Sequence, residues 1–325
     1  MNNGATQGTK WFLVVNPISG SGKGLDDFPL ISKLLRDNGI SCEAVFTEHK
    51  HHATELTVSA ITSGYRHIMV AGGDGTLHEV INGLFIQKCV DTSEVTIAVI
   101  PVGTGNDWIR MYGLPTRYSA VIRAIKEGYT FLQDVAAVEY EESRYRQTRY
   151  MANVAGVGFD AAVIKRGQMM NGNDKKKKGA GFYIRALINT FFRYKPTGVK
   201  IWVNDRLLYN NLLFSLAAGV GKYNGGGIQQ LPQSVADDGL LDITLIKPLH
   251  WWHVIFRLRR LFNGEIYSIG HVQHLQGSKI RIESSPEIDL EIDGELHGGT
   301  PVELRVLHRA VKVIVNKSFI DKLKA

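Results

Sequence analysis

Short apolar runs alternate with amphipathic stretches through the first third of the chain. Trp11–Asn16, Ser41–Thr47, Arg66–Ala71 and Thr96–Val102 are the runs, each bounded by turn-forming residues, and they predict buried strands. Helical patterns lie between them: one from near Pro29 to Gly39, one over His52–Ser63 closed by Gly64, and one over Leu77–Gln87. Such alternation predicts βαβ units and a parallel sheet. Beyond about residue 134 the pattern turns to strands: Lys200–Val203, Leu212–Ala218 and Leu240–Ile246, then the alternating runs Lys279–Glu283, Ile288–Ile292 and Val302–Leu307. Asn204-Asp205 sits where a hairpin turn belongs. Helical signals thin out to Gly181–Tyr194 and Trp251–Asn263. The expected fold is α/β: an N-terminal parallel-sheet domain over residues 1–133 and a mainly antiparallel β-sandwich over 134–310. The stretch Gly167–Gly181, with Lys175 to Lys178, reads as a mobile loop.

Composition narrows the classes without choosing among them. The 325 residues, 44% hydrophobic and 21% charged, suffice for two domains with cores of their own. A net charge of +7 favours acidic partners: nucleotide phosphates, nucleic acid or an anionic membrane surface. Cys42 and Cys89 stand far apart, which argues against a disulfide framework or a metal knuckle and fits a reducing cytoplasm. There is no signal-peptide pattern at Met1–Lys10, and no apolar run reaches the ~18 residues that span a bilayer. The expectation is a soluble, cytoplasmic chain with at most peripheral membrane contact. No recognition helix or aromatic-basic array supports nucleic acid as a partner. The histidines of Glu48-His49-Lys50-His51-His52 read as an exposed loop rather than a metal site.

Three glycine-rich loops follow strands in the first half: Asn16-Pro17-Ile18-Ser19-Gly20-Ser21-Gly22-Lys23-Gly24, Gly72-Gly73-Asp74-Gly75-Thr76, and Pro101-Val102-Gly103-Thr104-Gly105-Asn106-Asp107. In an open parallel sheet ligands bind at the carboxyl ends of strands, where these loops gather. Glycine lets backbone N–H groups approach phosphate oxygens, and a following helix N-terminus favours anions. No loop has a standard fingerprint. Gly22-Lys23 lacks the upstream glycine of a Walker loop, and Gly24 replaces its Ser/Thr. Gly219-Val220-Gly221 has Asn224 at the third glycine position of a dinucleotide loop. Asp74 among phosphate-binding amides would repel the ligand unless a cation intervened, which points to Mg2+; Asp107 raises the same question.

These residues resemble the catalytic domain of diacylglycerol kinases. Asn16-Pro17 with its Ser/Gly-rich tail, Gly72-Gly73-Asp74-Gly75-Thr76-Leu77-His78-Glu79-Val80-Ile81-Asn82-Gly83-Leu84 and Gly103-Thr104-Gly105-Asn106-Asp107 carry the likeness. It is closer to the soluble bacterial branch of that lipid-kinase superfamily, which also includes sphingosine and ceramide kinases. The resemblance implies an N-terminal domain binding ATP and a C-terminal sandwich. The active site would lie in the cleft between them, and Val311–Ala325 would return to the first domain. It makes Asn16, Pro17, Ser19, Gly20, Lys23, Thr47, Gly72, Gly73, Gly75, Thr76, Thr104, Asn106 and Asp107 the nucleotide contacts. Asp237-Asp238-Gly239 resembles a structural Mg2+ site, with Asp238 and carbonyls near Val235 and Leu240 as ligands. Ile292-Asp293-Gly294-Glu295 resembles the catalytic motif: Asp293 the general base, Glu295 its support, and Asp74 the acid that holds the phosphates through Mg2+. For both motifs a tight turn is the alternative reading. Two departures stand out: Trp108-Ile109-Arg110 where Phe-Ala-Arg is usual, and His78 where many bacterial members have Asn.

The implied reaction moves the γ-phosphate of ATP to a membrane lipid hydroxyl, diacylglycerol first, with sphingoid base, ceramide or phosphatidylglycerol as alternatives. NAD kinase and phosphofructokinase share a Gly-Gly-Asp-Gly loop and are the rivals; a non-catalytic sensor is the other class. Docking on an anionic membrane would fall to the lysine run and to His250–Gly264. There Trp251, Val254, Ile255, Leu258, Leu261 and Phe262 share a face beside Arg257, Arg259 and Arg260. A homodimer is left open by the sequence.

Overall fold

The computed structural model describes residues 10–103, 105–171, 188–249, 260 and 262–323. The chain divides into two units, Met1–Gln133 with Arg309–Ala325, and Asp134–His308. Thr104, most of the predicted helix Gly181–Tyr194, nearly all of His250–Gly264 and the lysines 175–178 lie outside the described residues.

In the first unit, strands and helices alternate as the hydrophobic pattern predicts: β1 (Trp11–Val15), α1 (Lys23–Asp26), α2 (Phe28–Asp37), β2 (Cys42–Phe46), α3 (His52–Thr62), β3 (His67–Gly72), α4 (Asp74–Ile86), β4 (Thr96–Pro101), α5 (Asp107–Met111) and α6 (Tyr118–Glu127). The strands are parallel and ordered β2-β1-β3-β4, with Val15 opposite both Phe46 and Ala71, and Gly72 opposite Pro101. Leu13, Val14, Ile68, Met69, Val70, Ile97 and Ile100 are fully buried, as expected of a parallel sheet covered on both faces. Each contributes on the order of 2 kcal/mol through the area it removes from water. α2 carries a proline in its first turn and ends at Asp37, with Gly39 at φ 72° just past its cap Asn38. α4 begins at Asp74, three residues before the apolar pattern at Leu77. Gly73 serves as its N-cap, and an acid in the first turn suits the helix dipole. Because β1 leads to β2 on one side while β3 and β4 lie on the other, the chain reverses direction across the sheet between β1 and β3. Ligands bind at the carboxyl ends of strands flanking such a point.

The second unit is antiparallel. It contains most of β5 (Thr130–Glu142), then β6 (Tyr145–Met151), β7 (Val154–Gly158), α7 (Phe159–Asn171), β8 (Thr197–Val203), β9 (Arg206–Leu213), β10 (Ser215–Gly219), the short pair β11 (Tyr223–Asn224) and β12 (Ile228–Gln229), β13 (Leu241–Ile246), β14 (Val272–Gly277), β15 (Lys279–Ser285), β16 (Asp289–Ile292) and the start of β17 (Glu295–Ile314). One run of pairing goes β14-β13-β10-β7-β16-β17, another β9-β8-β15-β17. Alternate residues of both runs meet in one core, among them Val157, Leu216, Ile243 and Leu290 with Ile201, Ile280 and Leu304. The Asn204-Asp205 turn has both residues at positive φ (49° and 63°), as a two-residue hairpin turn requires. The expected mobile loop at Gly167–Gly181 needs correcting: α7 continues helically through Gly167 to Asn171. Phe159 at its start stacks on Phe214 with centroids 4.6 Å apart, which fixes the helix on the sheet. β17 leaves this unit to end in the first, where Lys312 and Val313 pair in parallel with Thr96 and Ile97.

Candidate active site

The three glycine loops of the first unit meet one another, and sterics explain their composition. A Cβ on Gly20 (φ 61°) would lie 2.2 Å from the Val102 carbonyl oxygen, and one on Gly24 would lie 1.8 Å from that of Asn16. Gly73 and Gly103 approach so closely that a Cβ on Gly103 would meet Gly73 Cα at 3.2 Å. Asn16 ties the first loop to the second: its Nδ2 donates to Thr76 Oγ1 at 2.9 Å, while its Oδ1 accepts from Ile18 N–H. Pro17 O accepts from Leu25 N–H, Ser19 N–H donates to Asn16 O, and Thr47 N–H donates to Val15 O at the end of β1. Of the expected nucleotide contacts, then, Asn16, Pro17, Ser19, Gly20, Gly72, Gly73, Gly75, Thr76, Asn106 and Asp107 gather at the carboxyl ends of β1, β3 and β4, in the strand ends, loops and helix starts there, and Thr47 follows β2.

A cavity of about 520 Å³ opens beside these loops, its wall including Lys23, Gly103, Asn106, Ile109 and Arg110. Asn106 sits at φ 49° and donates from Nδ2 to Gly103 O, folding the third loop back on itself. Arg110 lies 3.6 Å from the buried Asp107 carboxylate. The two departures separate here. Ile109 lines the cavity, whereas Trp108 is buried against Tyr112 and donates its indole N–H to Gln133 Oε1 at 2.9 Å. His78 is also buried, within α4, its Nε2 3.2 Å from Asn82 Nδ2.

The carboxylate of Asp74, expected to hold the phosphates through Mg2+, accepts from Asp107 N–H (3.0 Å) and Trp108 N–H (3.3 Å), capping α5. An anion at a helix start is well placed. It also joins the second loop to the third. Glu79 was not singled out by sequence reasoning. Its Oε1 and Oε2 accept from His51 and Ala53 N–H at the start of α3, and Thr54 Oγ1 donates to its carbonyl. An acid one turn into a glycine-loop helix is the only sequence signal it offers. Nearby, His49, His52 and Glu55 bring ligand-type atoms within 4.8 Å of one another. His52 Nδ1 accepts from Glu48 N–H, which puts the proton of the neutral ring on Nε2, and the two imidazoles stack at 4.5 Å. These contacts organise the helix start.

The second unit holds the other two motifs. Asp293 and Gly294, at φ 50° and 86°, turn the chain between β16 and β17, with Ile292 opposite Glu295. Asp293 Oδ1 accepts from Asn153 N–H (2.9 Å) and Val154 N–H (3.1 Å), and Oδ2 accepts from Ala152 N–H (2.9 Å). The carboxylate expected to act as the base thus also anchors the segment entering β7. Glu295 follows at the first position of β17. At the other motif, Asp238 is exposed and its Oδ1 accepts from Leu240 N–H, while Val235 is 42% exposed. The fully buried Asp134 holds that loop, accepting from Gly239 N–H at 2.7 Å and lying 3.0 Å from His308 Nδ1.

Comparison with known proteins places this geometry. Residues 10–138 match the diacylglycerol kinase catalytic domain, and residues 153–315 match the YegS C-terminal NAD kinase beta sandwich-like domain. A diacylglycerol kinase of Mycobacterium tuberculosis is 25% identical over 302 residues, 93% of either chain. A protein of Pseudomonas putida described as a YegS-like lipid kinase is 26% identical, covering 80% of this chain and 81% of its own. Among solved structures, a Bacillus anthracis protein described as a diacylglycerol kinase superposes with a TM-score of 0.77 at 25% identity, over 98% of this chain and 99% of its own. With a phosphate-type loop cluster in the first unit, the acid turns in the second and both domains matched in order, the chain belongs to the diacylglycerol kinase and YegS-like family of lipid kinases.

Proposed function

We propose that the protein transfers the γ-phosphoryl group of ATP to the hydroxyl of diacylglycerol, giving phosphatidic acid. One observation carries this reading: three glycine-rich loops meet at the carboxyl ends of β1, β3 and β4, beside a cavity walled by Lys23 and Arg110. Phosphoryl transfer asks mainly for positioning and charge neutralisation. In this proposal the amides of Gly72–Thr76 and of the Asn16 loop hold phosphate oxygens, Lys23 and Arg110 offset their charge, and the Asp293-Gly294-Glu295 turn handles the acceptor's proton. Magnesium supplies further charge neutralisation when bound. Asp74 and Asp107 are its proposed contacts with the nucleotide. Asp238, with the carbonyls of Val235 and Leu240, makes an all-oxygen donor set that suits the same hard cation as a structural ion.

The acceptor lies in a membrane, so peripheral docking on an anionic surface is part of the proposal. Among the described residues no helix is long and apolar enough to cross a membrane. The test is incubation with labelled ATP, Mg2+ and mixed micelles carrying diacylglycerol, sphingosine, ceramide or phosphatidylglycerol separately, with NAD as a soluble control. Label in diacylglycerol is the expected result. Label in another acceptor keeps the kinase chemistry and replaces the substrate.

A further inference from the structure

Glu291 belongs to none of the motifs above, yet it is fully buried in β16, two residues before Asp293. It lies opposite Gly156 of β7. A Cβ on that glycine would lie 2.9 Å from Glu291 Oε1 and 3.3 Å from Asp160 Oδ2, so two carboxyls converge over the one position that carries no side chain. The hydrogen-bond partners of Glu291 are neutral donors: Asn224 Nδ2 to Oε1 at 3.2 Å, and Gly294 N–H to Oε2 at 2.9 Å. Asn224 Nδ2 also reaches Gln230 Oε1, and Gln230 Nε2 donates to Asp160. The network therefore runs from the first turn of α7, through Gln230 just after β12 and Asn224 of β11, to the middle of the Asp293-Gly294-Glu295 turn. The charged groups that face Glu291 are Asp160 from α7 and Asp293 from its own turn, both acids. A buried acid among acids is tolerated when it is neutral and fully bonded.

We infer that Glu291 is a positioning residue that works as a neutral carboxylic acid: through Gly294 and Asn224 it fixes the turn that carries Asp293 and Glu295, and ionising it sets a buried charge against Asp160 and Asp293 that loosens that turn. The effect on turnover rests on the proposed role of that turn in lipid phosphorylation; the effect on the turn itself rests on the geometry alone. Burial, then the charge of Asp160, pushes Glu291 up from an ordinary 4.5 to about 8, and burial pushes Asp160 up to about 6. A folded-state value above the unfolded one means the folded chain binds this proton more tightly. The stability it contributes is complete below the ordinary carboxylate range and is lost as pH rises toward 8.

Glu291→Gln tests this, because the amide keeps the size of the acid and one acceptor oxygen and cannot ionise. The wild-type melting temperature should fall between about pH 5 and about pH 8.5, and that of the variant should fall much less over the same range. Amide hydrogen exchange across residues 293–296, corrected for intrinsic rate, should lose roughly tenfold protection on that rise in the wild type and hold in the variant. With a lipid acceptor, kcat should hold to higher pH in the variant while KM for ATP matches the wild type. Asp160→Asn gives a second reading should the first variant fold poorly: removing the facing charge should move the wild-type transition to lower pH. Coincident profiles for wild type and Glu291→Gln, or a transition that stays put in Asp160→Asn, would overturn the inference. If no lipid is labelled, the proposed reaction fails, and the melting and exchange profiles still decide the positioning role.

Discussion

Two aspartates, Asp74 in the first unit and Asp293 in the second, are each expected to face a ligand, and each also gives its carboxylate to backbone amides. Their surroundings differ in how negative charge is managed. Around the first unit's loops, charge is met by cations: Arg110 pairs with Asp107, and Lys23 stands in the same cavity wall. Beneath the second unit's turn it is met by a proton on Glu291, which burial and the charge of Asp160 hold there. Fixed cations suit a site that takes up an anion. Acids that keep their protons suit a site that must hold its shape in a dry interior. The same residue type thus serves a cradle at a helix start in one place and a brace in a strand turn in the other.

The comparison breaks most severely at Gly20. A methyl group there would overlap the Val102 carbonyl at a φ of 61°, so Gly20→Ala must open the contact between the first and third loops. The expected outcome is a stability loss of about 3 kcal/mol and a drop in nucleotide affinity of at least tenfold. Thermal melting and titration with a fluorescent ATP analogue check both. A variant that binds the analogue as the wild type does would mean the cradle does not depend on that contact.

Glu295→Gln comes next and sharpens the other half. Asp293, the expected base, accepts from three amides, and Glu295 stands two residues on as the other acid of the turn. A general base contributes roughly 100- to 10 000-fold, so a loss of that size in kcat with ATP affinity kept assigns the proton transfer to Glu295. Turnover within a few-fold of wild type leaves that role with Asp293.

Asp74→Asn probes the cap. One oxygen still accepts from an amide, while the charge that suits the start of α5 is gone, so the stability cost should be about 1 kcal/mol. The Mg2+ dependence of turnover is the second readout. An unchanged requirement would limit Asp74 to capping, and a raised one would add the metal contact proposed for it.

How much of this was legible in the sequence follows from the range of each interaction. The first unit's strands and helices announced themselves because burial on both faces leaves continuous apolar runs, as in Thr96–Pro101, and glycines end the helices. The loops were legible because Gly20, Gly24 and Gly103 are demanded by close backbone contact. The β5–β6 hairpin escaped: it turns on Ser143 and Arg144, at φ 52° and 68°, without the Asn or Gly that usually marks such a turn. The anchoring of Asp293 by residues 152–154 escaped as well, since those partners lie some 140 positions away. Glu291 gave no sign in one dimension, because an acid between two apolar residues in a strand reads as solvent-facing; only pairing with Gly156 turns it inward.

The smallest expected effect lies at the third acid turn, and it asks whether the second unit relies on protons throughout. Asp134 is fully buried and holds the Gly239 amide, but it also has a cationic candidate in His308, which is half exposed. Were the brace like the one at Glu291, losing that imidazole should matter little; were it like Asp107 with Arg110, the loop should feel it. His308→Ala is expected to cost about 0.5 kcal/mol, since half of the pair is screened by water. Chemical denaturation at pH 6 and pH 8 checks this. A cost seen only at the lower pH would mean the charged imidazole carries the contact, and an equal cost at both would reduce it to a neutral hydrogen bond. A loss above about 2 kcal/mol would show that Asp134 is left with uncompensated charge. The 237–239 loop would then belong with the cation-managed loops of the first unit, and the contrast between the two units would have to be redrawn around the Asp160 and Glu291 pair alone.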